Sequence, residues 1–121
     1  MDPARIDTVG VMLSALRAYQ KETHKVDHKT LMDKERMELM RGYALGLVVE
    51  QVELLQELPW KPWAYTSSDM SDVDTKKAVK EWTDCLVFLL DQALCLKISA
   101  EDIVSTFYNI LETKRKTQIT K

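Results

Sequence analysis

Gly46-Leu47-Val48-Val49-Glu50-Gln51-Val52-Glu53-Leu54-Leu55-Gln56-Glu57-Leu58-Pro59-Trp60-Lys61-Pro62-Trp63 is the stretch on which the fold turns. It runs as an unbroken helical pattern and stops at Pro59, because proline disfavours helix for the residue before it. Glu50, Glu53 and Glu57 stand at i, i+3 and i+7. At about 100° per residue the three fall within roughly 60° of one another and leave the helix on one side. Leu47 and Leu54 point the same way, so the acids border the apolar stripe instead of opposing it. Carboxylates placed there are costly unless something positive compensates them. A bound divalent cation is one solution, and a water-washed rim is the other.

Outward from this stretch, the whole chain has 121 residues, 45% hydrophobic and 30% charged, with three glycines and three prolines. That length predicts one domain spanning residues 1–121. So few breaks predict long helices. The net charge of −2 and pI near 5.7 give no global basic field for nucleic acid. No signal pattern and no apolar run of membrane length are present, so a cytoplasmic protein is expected, in the host cytoplasm if phage-encoded. Cys85 and Cys95 fall in one predicted helix about 15 Å apart, too far to pair within it, and are expected as core thiols in a reducing compartment.

In chain order the pattern predicts four helices. Asp2 caps the first, with Pro3 at its first position. Its stripe reads Ile6, Val9, Met12 or Leu13, Leu16, Tyr19, ending near Thr23. A polar connector, 24–29, follows. Thr30 with Asp33 resembles a capping box and opens a second helix of roughly 27 residues, ending at Glu57. Gly42 and Gly46 weaken that helix by about 1 kcal/mol each against alanine, but let another helix come close. The loop 59–74 starts aromatic and basic and ends small and polar. Asp74 or Thr75 caps a third helix, about 76–96, with core positions Ala78, Trp82, Leu86, Leu89, Leu90 and Ala93. Ser99 and Asp102 open a fourth, through Phe107, Tyr108 and Leu111 to the basic run Lys114-Arg115-Lys116.

The third helix repeats the second's peculiarity. Glu81 and Asp84 are again i, i+3, with Phe88, Asp91 and Cys95 on the same side. If the two helices pack antiparallel, Glu50, Glu53, Glu81 and Asp84 converge as an all-oxygen donor set suited to Mg²⁺ or Mn²⁺. One such pair alone is usually a solvated face; two pairs beside apolar stripes are harder to dismiss. His24 and His28, spaced i, i+4, have no third ligand nearby. No Glu-x-x-His pair supports a di-iron centre, and no phosphate-binding loop or nucleophile elbow occurs. The Trp60–Trp63 segment is either a plug over the bundle end or a lid on a ligand.

Glu50-x-x-Glu53, 27 intervening residues and Glu81-x-x-Asp84 together resemble the ExxE…ExxD signature of the all-α nucleoside triphosphate pyrophosphohydrolases. That superfamily includes MazG-type enzymes and the dimeric dUTPases. The run from Glu53 to Trp63 looks most like the dimeric dUTPase and phage MazG-like branch, where a Trp-Lys-rich segment follows the first metal helix. Glu81-Trp82-Thr83-Asp84-Cys85-Leu86-Val87-Phe88-Leu89-Leu90 fits the same pattern. Dimeric dUTPases tend to end in Asn-x-x-Arg-Gln; the nearest stretch here is Lys114-Arg115-Lys116-Thr117-Gln118.

The resemblance implies a four-to-five-helix bundle assembled as a homodimer or homotetramer, and hydrolysis of a (d)NTP to (d)NMP and pyrophosphate with Mg²⁺, which Mn²⁺ can replace. Glu50, Glu53, Glu81 and Asp84 would be metal ligands. Glu50 or Glu53, another acid of the set, or Glu57 would take the proton from water. Trp60, Lys61, Trp63, Lys114 and Arg115 would hold substrate, the cations on phosphates and the indoles on the base. The branch suggests dUTP; the altered ending suggests a purine dNTP such as dGTP or dATP, or broad specificity. The alternative is a non-catalytic helical protein that docks a partner on the Trp-rich loop.

Overall fold

A computed structural model of the chain describes residues 3–61 and 69–120. They form α1 (Pro3–Thr23), α2 (Asp33–Gln56), α3 (Thr75–Cys95) and α4 (Ala100–Thr120), with a 3-10 turn at Met70–Asp72. No strand occurs among the described residues, so the architecture is all-α, as the periodicity predicts. α3 packs along α2, while α1 lies against both α3 and α4. The α2–α3 pair is antiparallel: Arg36 reaches Cys95, Tyr43 and Gly46 meet Phe88, and Glu50 meets Glu81.

Local chemistry sets the helix ends. Pro3 begins α1; the proposed cap Asp2 lies outside the described residues. Thr30 does not open α2. The amides of Thr30 and Leu31 donate to the Asp27 carbonyl, and Asp27 Oδ1 accepts from Lys29 N, so those groups are spent in a turn. α2 starts three residues later, with Glu35 Oε1 accepting from Met32 N at 3.4 Å. Asp74 Oδ1 caps α3 by accepting from Lys77 N. Ser99 and Asp102 form the expected reciprocal box at the start of α4, both bonds 3.0 Å.

Gly46 bears out the expected close approach, and Gly42 does not. A Cβ on Gly46 would lie 2.7 Å from the Phe88 ring, whereas one on Gly42 meets nothing within 4 Å. The Phe88 ring is therefore seated on the α2 backbone one turn before Glu50.

The core is Leu13, Ala93 and Leu94, ringed by Val9, Leu16, Leu90, Ile98, Ala100 and Ile103. It sits where α1, the second half of α3 and the start of α4 meet. Cys85 and Cys95 are buried free thiols. Two expected core positions are corrected: Trp82 is 57% and Leu89 49% exposed. Both lie on the side of α3 that neither α1 nor α2 covers. Phe107, Tyr108 and Leu111 are exposed too, because α4 touches α1 through its opening turns. α2 buries no residue completely.

Candidate metal centre

The antiparallel register brings the second half of α2 against the first half of α3. Oxygen atoms of Glu50, Glu53 and Glu81 then lie within 4.8 Å of one another. Glu50 and Glu81 are half-buried and Glu53 is exposed. Glu50 Oε2 and Glu81 Oε2 are inaccessible to water and have no hydrogen-bond partner. Burial raises the Glu50 pKa above its ordinary value; a proton shared with Glu53 raises it further, as do the charges of Glu53, Asp84 and Glu81. A cation would relieve this arrangement of its unmet acceptors and its repulsion together. Because the donors are all oxygen, the set suits a hard divalent ion.

Asp84 stands beside the cluster. Its Oδ2 accepts from Lys80 Nζ at 2.8 Å, and the same ammonium lies 3.8 Å from Glu81. Hydrogen bonding to Asp84 raises the Lys80 pKa. Lys80 is exposed and bound by a surface pair, which contributes little energy and yields readily to a stronger cation. Glu57 is the C-cap of α2.

The other proposed residues are placed less closely. Trp60 is half-exposed, with Lys61 Nζ 5.5 Å from its ring centroid, a cation–π contact. Trp63 lies outside the described residues. Lys114 and Arg115 are exposed on α4, where Arg115 pairs with Glu112. Among the described residues α4 makes no contact with α2, so one chain does not bring these cations to its own carboxylates. His24 packs edge-on against Tyr19, and neither histidine joins an acidic cluster.

A family model described as dUTPase matches residues 12–121, from mid-α1 through α4. The chain belongs to this dimeric dUTPase-like family. No curated protein and no solved structure matches it. A nucleotide hydrolase is the activity that membership in the dUTPase-like family implies. No helix among the described residues is long and apolar enough to cross a membrane.

Within this dUTPase-like chain a second polar group was missed from sequence. Gln20 Nε2 donates to Asp91 Oδ1 at 2.9 Å, both side chains buried. Burial pushes Asp91 up to about 6, against the bond from Gln20 and the charge of His24. Tyr43, pushed up to about 12 by burial with Asp91 and Cys95, lies between Phe88 and His28. Arg36 donates to the carbonyls of Cys95, His28 and Leu31 at 3.1–3.4 Å. The signal for Gln20 was present: it continues the spacing of Val9, Leu13 and Leu16.

Proposed function

We propose that the chain is a Mg²⁺-dependent (deoxy)nucleoside triphosphate pyrophosphohydrolase, converting dNTP and water to dNMP and pyrophosphate. dUTP or a purine dNTP, dGTP or dATP, is the substrate. The observation that carries this reading is the convergence of Glu50, Glu53 and Glu81 from two helices, with two buried oxygens lacking any donor. A solvated rim would leave those oxygens in water, so the convergence favours an enzyme over a docking protein.

Glu50, Glu53 and Glu81, with Asp84 once Lys80 releases it, hold the metal. Mg²⁺, or Mn²⁺ in its place, supplies neutralisation of the triphosphate and lowers the pKa of an attacking water. Burial and the neighbouring carboxylates raise the Glu50 pKa, and a metal needs the carboxylate, so metal affinity should rise with pH. An acid of this set, or Glu57, accepts the proton of the attacking water. Lys61 binds outer phosphate oxygens as a point charge. Trp60 and Trp63 wall the base. Lys114 and Arg115 reach phosphates from a second copy, since α4 of the same chain stands away from α2.

That second copy suits the surface. Leu45, Val48, Val49, Val52 and Leu55 are all exposed along one side of α2. A homodimer or homotetramer would cover them. The single domain, 1–121, would work in the cytoplasm.

The test is pyrophosphate release from each dNTP, with Mg²⁺, with Mn²⁺ and with chelator. Release that needs metal and ranks the bases supports the proposal. No release from any dNTP with either metal, and no rise in melting temperature on adding them, overturns it.

A further inference from the structure

At the opposite end of the α2–α3 pair lies a cleft of about 400 Å³. Arg17 of α1, Lys29 of the α1–α2 connector and Lys97 after α3 line it, with His28 in the wall and Leu94 and Ile98 in the floor. No acid lines it. Along α3, Asp84 and Leu94 are ten residues apart, about 15 Å of helix, so the cleft is separate from the carboxylates.

Three properties mark it as built for a ligand. First, among the described residues none of the three cations has a hydrogen bond or ion pair through its side chain. Asp27, whose charge acts on His28, is engaged by the Lys29 backbone amide and by Lys21. Second, His28 is 5% exposed, yet neither ring nitrogen has a partner. Third, the frame is rigid. Arg36 ties the carbonyls of His28 and Leu31 on one wall to that of Cys95 on the other.

Lys97 adds a cost of its own. It sits at φ 57°, in the left-handed region, where the chain leaves α3. Its amide donates to the Leu94 carbonyl and that of Ile98 to Ala93, the helix ending that ordinarily takes glycine. A lysine there, as at Lys25 with φ 60°, is held against a backbone cost that glycine would not carry.

We propose that this cleft is an oxyanion site for a phosphate group, either inorganic phosphate or the phosphate of a mononucleotide. Arg17 supplies a planar fork and Lys29 and Lys97 point charges, the combination that binds phosphate oxygens. Burial, then the charges of Arg36 and Arg17, hold His28 below its ordinary pKa, with Asp27 opposing them. His28 donates no bond of its own to the anion, since both its ring nitrogens are enclosed, but a bound negative charge makes its protonation easier. The site does not depend on the metal chemistry proposed above.

The experiment is calorimetric titration of the full-length chain with inorganic phosphate, and separately with dAMP, in chelator at low salt. His28 is followed by NMR. The intact chain should bind phosphate and its His28 pKa should rise on binding. Lys97→Gly should melt higher without phosphate, because the backbone strain is gone, yet bind phosphate about tenfold more weakly, as expected for losing a charged hydrogen bond. Arg17→Gln combined with Lys97→Gly should abolish binding, and Glu53→Gln should leave it unchanged. Equal affinity for phosphate and dAMP identifies the free anion as the ligand; tighter dAMP binding identifies the mononucleotide. No heat with millimolar phosphate or dAMP overturns the proposal. So does undiminished binding in the Arg17/Lys97 variant, or loss of binding in Glu53→Gln.

Discussion

At one end of the α2–α3 pair, Glu50, Glu53 and Glu81 face one another with buried oxygens that no donor reaches. At the other end, Asp91 is 2% exposed but takes an amide hydrogen from Gln20, and Arg36 spends its guanidinium on three carbonyls. Both ends bury polar groups against α3, the acids facing it from α2 and Gln20 reaching it from α1. At the second end Asp91 and the Arg36 Nη groups are met within the chain, while His28 is not; at the first the unmet groups are acids of like charge. A buried polar group with its partner in place specifies packing. A set of like charges with no partner costs stability until something outside the chain arrives. The two ends therefore differ in what they lack.

The most severe break in that contrast is Glu53→Gln. It keeps shape and removes one ligand charge. Turnover with Mg²⁺ should fall at least ~10³-fold, roughly 4 kcal/mol on the barrier, while the metal-free protein melts higher because repulsion eases. Steady-state pyrophosphate release and a thermal scan with chelator check both. Near wild-type turnover would remove Glu53 from the metal set.

Next comes Gly46→Ala, which drives a methyl group into the Phe88 ring and so spreads α2 from α3 next to Glu50. Overpacking of this kind should cost about 1–3 kcal/mol and lower activity as well. Phe88→Leu in the same chain should recover part of both. Urea unfolding with and without Mg²⁺ measures the first, and a lack of rescue would show that the ring is not the obstacle.

Asp91→Asn sharpens the comparison from the second end. The Asp91 pKa is raised from 3.8 to about 6 in the fold. A raised acid contributes stability that is fully present below the unfolded value and lost as pH rises through the folded one. Wild type is therefore penalised fully at pH 8 and hardly at all at pH 3. The variant should be about 1–3 kcal/mol more stable than wild type at pH 8, with the difference fading as pH falls to about 3. A pH-independent difference in unfolding free energy would mean that Asp91 does not titrate with the fold.

The smallest effect is expected at Gly42, one turn from Gly46. An alanine there meets open space and should stabilise α2 by about 0.5–1 kcal/mol with no change in turnover. Equal behaviour of the two glycine variants would erase the distinction drawn between them.

Much of this was legible because helical periodicity is written locally. Pro3, Asp74 and the Ser99–Asp102 box announce their helix ends from side-chain chemistry alone, and the i, i+3 acids place themselves on a face. The failures share one physical origin, competition from the rest of the fold. Thr30 looked like a cap, but Asp27 had already engaged its amide in a turn. The apolar stripe of α1 runs out at Tyr19, which is exposed, whereas the buried position is Gln20; hydrophobicity misleads where a polar residue has a private partner 71 positions away. Trp82 and Leu89 read as core because they are apolar, yet nothing in one chain covers their side of α3. Whether three acids meet was readable from spacing plus an assumed antiparallel pairing. That Asp84 turns to Lys80 was not, since it depends on which neighbour is nearest once the helices are packed.

The two buried cysteines turn the same helix into a pair of clocks. Burial, then the charges of Glu50, Asp84 and Glu81, raise the Cys85 thiol; burial raises Cys95 as well. Protonated and shielded, neither is a competent nucleophile in the closed protein. Each reacts with an alkylating reagent only when its own stretch of α3 opens. Cys85 reports on breathing beneath the carboxylates and Cys95 on breathing at the Arg36 end. If a cation binds the acids, Cys85 should be labelled before Cys95 in its absence, and adding it should slow the labelling of Cys85 while leaving that of Cys95 unchanged.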